Sequence, residues 1–288
     1  MKGRRVLLVL ALLVLVLFVV IPVYVAYSSI HPARCSTGKT PMDYGMTYTN
    51  FTVTTSDGVS IRGWIIPGKL NTTYYIIMHG YTSCKSSEGL LKVAKGLNAL
   101  GYPVVMFDFR AHGESGGGYT TIGPKEVLDA EAVMDYVAGE LEADRLVLVG
   151  YSMGASVALI AGAGDERVAG IAADSPYYRL DQVIPRWIGA KTPLPSWYGV
   201  LIGFYGSLLT GEDTSFGPAM LGNITKPIII FYGTQDPLIT YEEAKDLVSK
   251  SPCGRLVVGK GAGHVEVAEK IGYNTYIELL ASLAGARC

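Results

Sequence analysis

The sequence predicts an α/β fold, a mostly parallel sheet flanked by helices, behind an apolar N-terminal helix. Three observations carry this reading. From about Met46 onward, short runs rich in Ile, Val and Phe recur; stretches with helical spacing separate them; and a charge-free segment precedes them all. At 288 residues the chain is long enough to bury a substantial core.

Val6 to Tyr27 is 22 residues without a charge, about 33 Å as a helix, which matches a bilayer core of about 30 Å. Lys2, Arg4 and Arg5 ahead of it favour a cytoplasmic N-terminus, and Tyr24 and Tyr27 fall where interfacial aromatics sit. Residues 1–28 are therefore read as a membrane anchor with the body outside. The competing reading is a cleaved signal peptide, with Pro22 breaking the apolar helix and Ala26-Tyr27-Ser28 offering small residues for cleavage and release. Residues 29–45 form a linker, and the domain runs over 46–288.

The domain begins with a β-hairpin, Tyr48 to Thr55 and Ser60 to Ile66 around Ser56-Asp57-Gly58. Six further strands are predicted at Tyr74–Met78, Val104–Phe107, Leu146–Val149, Val168–Ala173, Ile228–Tyr232 and Leu256–Val258, all with the apolar character of strands buried on both faces. Helices fill the intervals at Glu88–Leu100, Met153–Ala163, Tyr241–Ser249 and Glu266–Leu283. Another follows Pro124, where Val127, Ala130, Met134, Val137 and Leu141 mark a packed face.

One connection is too long. Roughly 50 residues separate the strand ending near Asp174 from the one starting near Ile228, against about 2 to 6 for an ordinary α/β loop. Residues 177–226 hold Trp187, Trp197, Tyr198, Phe204, Tyr205 and Phe216, interrupted by Pro185, Pro193, Pro195 and Pro218. They are read as a lid of short helices, with Trp187 and Trp197 lining a substrate pocket beneath it. The alternative is an exposed patch that rests on a membrane or another chain.

Composition excludes other classes. With 24 basic and 25 acidic residues, 35 Gly and 14 Pro, the chain is neither a nucleic-acid binder driven by counterion release nor a coiled coil or helical bundle. Cys35, Cys84, Cys253 and Cys288 have no zinc-knuckle or redox spacing, and three full disulfide pairings are open to them. Asn50, Asn71 and Asn223 each begin a glycosylation acceptor pattern.

The chemistry centres on Gly150-Tyr151-Ser152-Met153-Gly154, a G-x-S-x-G between a predicted strand and a predicted helix. There a serine sits on a strained turn clear of the sheet, and the helix N-terminus favours a developing anion. A serine hydroxyl needs a base to become a nucleophile. Of the four histidines, His31 lies in the linker and His79 and His112 shape loops at strand ends, whereas His264 follows Gly261-Ala262-Gly263 after the last strand. His264 is the candidate base. Its orienting acid should end a strand between Ser152 and His264; Asp236 fits best, with Asp174 and Asp213 as alternatives. Two backbone amides should receive the oxyanion. One belongs to Met153, and the other to Tyr81 or Thr82; Tyr81 is chosen, leaving its side chain to line the pocket.

These residues, with His79-Gly80-Tyr81, Asp108-Phe-Arg110-Ala-His112-Gly113-Glu-Ser115, Asp174-Ser175-Pro176, Gly233-Thr-Gln-Asp236 and Gly263-His264, resemble the α/β-hydrolase superfamily. Within it the chain most resembles membrane-anchored serine hydrolases close to monoacylglycerol-lipase-like esterases. The resemblance implies an eight-stranded, mostly parallel sheet, a Ser–Asp–His triad and no metal or organic cofactor. It implies a chiefly structural role for Asp108, Arg110 and His112. The expected activity is hydrolysis of an apolar acyl ester or lipid. A peptidase or acyl-peptide hydrolase, a thioesterase, a perhydrolase and a catalytically silent cell-surface binding protein are the rivals.

Overall fold

The computed structural model describes residues 2–70, 72–286 and 288; the Asn71 acceptor pattern lies outside the described residues. One helix runs over Lys2–Ile30. It consists of α1 (Lys2–Leu15), a π-helical turn (Val16–Val20) and α2 (Ile21–Ile30). Pro22 does not break it. Proline lacks an N–H and its ring crowds the preceding turn, and the widened π turn just upstream absorbs that misfit.

Eight strands form one sheet: β1 (Thr49–Thr54), β2 (Ser60–Ile66), β3 (Thr73–Met78), β4 (Val104–Phe107), β5 (Arg145–Tyr151), β6 (Val168–Asp174), β7 (Ile228–Gly233) and β8 (Gly254–Gly259). Their order is β1-β2-β4-β3-β5-β6-β7-β8. The hairpin pairs Thr54 with Ser60, and Gly58 takes the positive φ its turn requires. β2 also runs antiparallel to β4, and every pairing from β4 onward is parallel.

Because both faces are covered, residue parity along each strand assigns side chains to opposite cores. Ile76, Met78, Leu146, Leu148, Ile228 and Ile230 pack with α4 (Glu126–Gly139), α5 (Met153–Ala163) and α8 (Tyr241–Ser249). Tyr75, Ile77, Val147, Val149, Ile229 and Phe231 pack on the other face. There α3 (Glu88–Ala99), α9 (Val267–Ile271) and α10 (Tyr273–Ser282) cover them. The long insertion forms α6 (Leu180–Lys191), α7 (Tyr198–Thr210) and a 3-10 turn at Pro218–Met220. Pro185 lies inside α6 without ending it.

Three expectations are corrected. β8 is half-exposed rather than buried on both faces, because it forms the sheet edge and pairs only with β7. The helix expected over Glu266–Leu283 is divided at Gly272, whose φ of 89° is outside helical geometry. The helix after Pro124 starts at Glu126, beyond the proline. The cysteines pair as Cys35–Cys84 and Cys253–Cys288, with Cα atoms 5.7 and 5.4 Å apart.

Candidate active site

Strand order reverses at β3: the chain passes from β3 to β4 on one side and returns to β5 on the other. In an open α/β sheet, such a switch point leaves a crevice at the carboxyl ends of the strands. The loop after β3 carries His79-Gly80-Tyr81-Thr82, and the turn after β5 carries Ser152.

Ser152 has φ 52° and ψ −114°, far from the regions open to ordinary residues. The turn is this sharp because the backbones approach closely. A Cβ on Gly154 would lie 2.5 Å from the carbonyl oxygens of His79 and Met78. The Ser152 N–H donates to the Asp174 carbonyl at 2.8 Å, and the amides of Ala155 and Ser156 donate to the Ser152 carbonyl as α5 begins.

His264 Nε2 lies 2.8 Å from Ser152 Oγ, and His264 Nδ1 lies 2.8 Å from Asp236 Oδ2. The Asp236 side chain is buried, and its Oδ1 accepts the amides of Leu238 at 2.8 Å and Ile239 at 3.3 Å. With one oxygen held by backbone, the other is aimed at the imidazole. The His264 loop is fixed in turn by Gln235 N–H donating to the Ala262 carbonyl, and by Val265 N–H donating to Ser175 Oγ at 3.1 Å. Sequence reasoning did not assign Ser175 a part; nothing in its spacing foretells this contact.

Asp174 lies elsewhere. Tyr276 donates its hydroxyl to Oδ2 at 3.0 Å and Ser175 donates to Oδ1 at 3.2 Å, while burial pushes the carboxyl up to about 7. Asp213 is solvated and held by Ser215. Asp236 alone of the three candidate acids reaches His264.

His79 and His112 hold loops. Burial brings His79 down to about 4, so it stays neutral, with Nδ1–H donating to the Gly80 carbonyl at 2.7 Å and Nε2 accepting from Phe109 N–H at 3.0 Å. His112, also lowered by burial, donates from Nδ1 to the Arg110 carbonyl and accepts the Thr82 N–H at 3.2 Å. Arg110 is forked between Asp129 and Asp57. Lys85 pairs with Asp108 at 2.6 Å. His31 is exposed against Tyr27.

A cavity of about 330 Å³ opens from Ser152 and His264 and is lined mainly by apolar side chains, within the range for small-molecule sites. Tyr81 and Trp187 line it. Trp197 does not: it lies just before α7, is exposed, and stacks on Phe18 at 6.2 Å. Its expected place in the pocket is corrected, since the α7 register turns it toward the N-terminal helix. Lining residues that sequence reasoning missed come from that helix, namely Ala26, Ser29 and Ile30, and from Gly203 and Gly206 of α7.

A model of the alpha/beta hydrolase family matches residues 76–270. A lysophosphatidylserine lipase of Danio rerio, ABHD12, is 22% identical over 263 residues, covering 82% of this chain and 67% of that protein. The Bacillus subtilis protein YqkD is 29% identical over 211 residues, 71% of this chain and 68% of its own length. A solved esterase of Pyrococcus furiosus superposes with a TM-score of 0.75 at 30% identity, covering 89% of this chain and 97% of its own. The matched segment carries Ser152, Asp236 and His264 as well as the sheet's switch point, and the chain belongs to the alpha/beta hydrolase family.

Proposed function

We propose that the chain is a membrane-anchored serine hydrolase that cleaves carboxylic esters of apolar acyl groups, with Ser152 as nucleophile, His264 as base and Asp236 as orienting acid. The carrying observation is the continuous line Asp236–His264–Ser152, with both contacts at 2.8 Å. The lipase among the relatives and the esterases among the solved structures support an ester as substrate.

In this reading His264 Nε2 takes the hydroxyl proton as Ser152 Oγ attacks the acyl carbonyl, and Asp236 stabilises the imidazolium. The tetrahedral oxyanion is received by the amides of Met153, at the N-terminus of α5 where donors are unpartnered, and Tyr81. Tyr81 is preferred over Thr82 because the Thr82 N–H is already committed to His112. Collapse expels the alcohol, which takes its proton from His264. Water, deprotonated by the same nitrogen, then releases the acid and restores Ser152.

The apolar cavity supports an acyl chain, with Tyr81 and Trp187 among the groups that contact it. Residues 1–28 are proposed as a retained anchor, 29–45 as linker and 177–226 as a lid on the 46–288 domain. The basic residues before Val6 and the two disulfides support a catalytic domain outside the cytoplasm. Ala26 and Ile30 are buried against the body, which favours retention over cleavage near Ala26.

The test uses the full chain in detergent micelles. A fluorophosphonate should label Ser152, and Ser152→Ala should abolish labelling and lower kcat on a p-nitrophenyl ester by about 10⁶-fold. Turnover that survives the substitution overturns the assignment, as does cleavage of peptides without cleavage of esters.

A further inference from the structure

Pro22 has no N–H to give to the carbonyls of the turn before it. In an α-helical ladder its missing N–H would have served Phe18, four residues back; in the π ladder it would have served Leu17, five back. Both of these carbonyls accept a hydroxyl from α7. Tyr205 donates its hydroxyl to the Phe18 carbonyl at 3.1 Å, and Tyr198 donates to that of Leu17. An unpaired backbone group in hydrocarbon costs several kcal/mol, so these tyrosines fix α7 at the level of Leu17 and Phe18.

That level is inside a bilayer. Counted from Val6, the first residue past Arg5, Phe18 lies about 18 Å along a helix, within a hydrocarbon layer of about 30 Å. Apart from half-buried Val16, the side chains of this helix are exposed as far as Val20, about 21 Å from Val6. The remaining thickness falls where Ile21, Val25 and Ala26 pack against Ile188, Tyr198 and Ile202.

The outer face of α7 suits that position. Trp197, Val200, Phe204 and Leu208 form a stripe at helical spacing and are 54%, 62%, 56% and 66% exposed, while the opposite face buries Tyr198, Gly199, Ile202 and Gly203. From Thr192 to Gly211 the chain carries no charged side chain. A helix apolar on all sides belongs in a core or in hydrocarbon, and α7, with 13 residues, is about 20 Å long and too short to span.

We infer that the outer face of α7 is a bilayer-docking surface, seated among the acyl chains of the leaflet next to the catalytic domain. The inference rests on the proposal that residues 1–28 are a retained membrane anchor. It adds that the insertion itself enters the lipid. A single layer of helix, α2 and α7, then separates the cavity from the bilayer.

The test reconstitutes the full chain into phosphatidylcholine vesicles, with and without bromine on the acyl chains. The difference in emission between wild type and Trp197→Phe isolates Trp197 from Trp64 and Trp187. Trp197 should lose most of its emission to brominated acyl chains and resist aqueous iodide. Ser152→Ala should quench identically, which separates docking from catalysis. Protein that floats with the vesicles while Trp197 is quenched by iodide and not by bromine overturns the docking surface and leaves the anchor standing; protein that fails to float overturns both. Trp197 shielded from both quenchers, with Val200→Cys chains crosslinking to one another, overturns it in favour of a second copy of the chain. Bromine quenching of a bimane on Val200→Cys gives an independent readout should Trp197→Phe fold poorly.

Discussion

The Tyr81 hydroxyl donates to the Ser29 carbonyl at 2.8 Å, tying the loop after β3 to the last turn of the N-terminal helix. Ser29 is among the terminal residues whose carbonyls have no helical partner. Burial pushes the Tyr81 hydroxyl up to about 12, so it remains a donor at neutral pH. Tyr81→Phe should lower stability by about 1 to 2 kcal/mol through the unpaired carbonyl. Because the backbone amide survives, kcat on a short ester should fall by less than about tenfold. Thermal unfolding of the full chain in detergent, with ester kinetics, checks both; a loss as deep as that of Ser152→Ala would put the hydroxyl in the chemistry.

Asp236→Asn should leave the fold intact and reduce kcat by about 10⁴-fold, the scale on which a triad loses its orienting carboxylate. Asp174→Asn should cost far less, since that carboxyl faces Tyr276 and Ser175. Steady-state kinetics on one ester compares them. Equal losses would mean that Asp236 does not hold the tautomer on which the mechanism depends.

Buried groups set opposing dependences of stability on pH. His79 falls from its ordinary 6.5 to about 4 through burial, so its contribution is present above 6.5 and is lost as pH falls toward 4. Asp174 rises from 3.8 to about 7 through burial, so its contribution is present below 3.8 and is lost as pH rises toward 7. The two offset one another in the same window. Urea unfolding across pH 4 to 6.5 should show Asp174→Asn gaining stability with pH more steeply than wild type. A parallel pair of profiles would refute the assignment of Asp174 as the group opposing His79.

Gly206 lies on α7 facing the cavity, and a Cβ built there meets nothing within 4 Å. Gly206→Leu should therefore strengthen the helix by up to about 1 kcal/mol while filling the cavity. On an ester panel of graded chain length, kcat/KM should fall more for long chains than for short ones, by about tenfold or more. An unchanged ratio would place the acyl chain elsewhere.

Much of the frame is written locally. Ser60–Ile66, Val104–Phe107, Met153–Ala163 and Tyr241–Ser249 begin and end where their residue patterns do. The meeting of Ser152, Asp236 and His264 was legible because serine, aspartate and histidine fall on the few loops a parallel sheet sends to one edge. The wall contributed by Ala26, Ser29 and Ile30 was not legible, since small and apolar residues in a charge-free helix look alike until tertiary packing selects a face. Trp187 and Trp197 were inseparable for a related reason. Pro193 and Pro195 reset the helical phase between them, and only the resulting register turns one inward and the other outward.

The disulfide between Cys35 and Cys84 encloses the exposed stretch Ser36 to Lys39. A protease that nicks this stretch would sever the polypeptide without freeing the enzyme. The portion bearing Ser152 would stay tethered by sulfur to the helix proposed as the anchor, and shedding from a membrane would require a reductant as well as a cut.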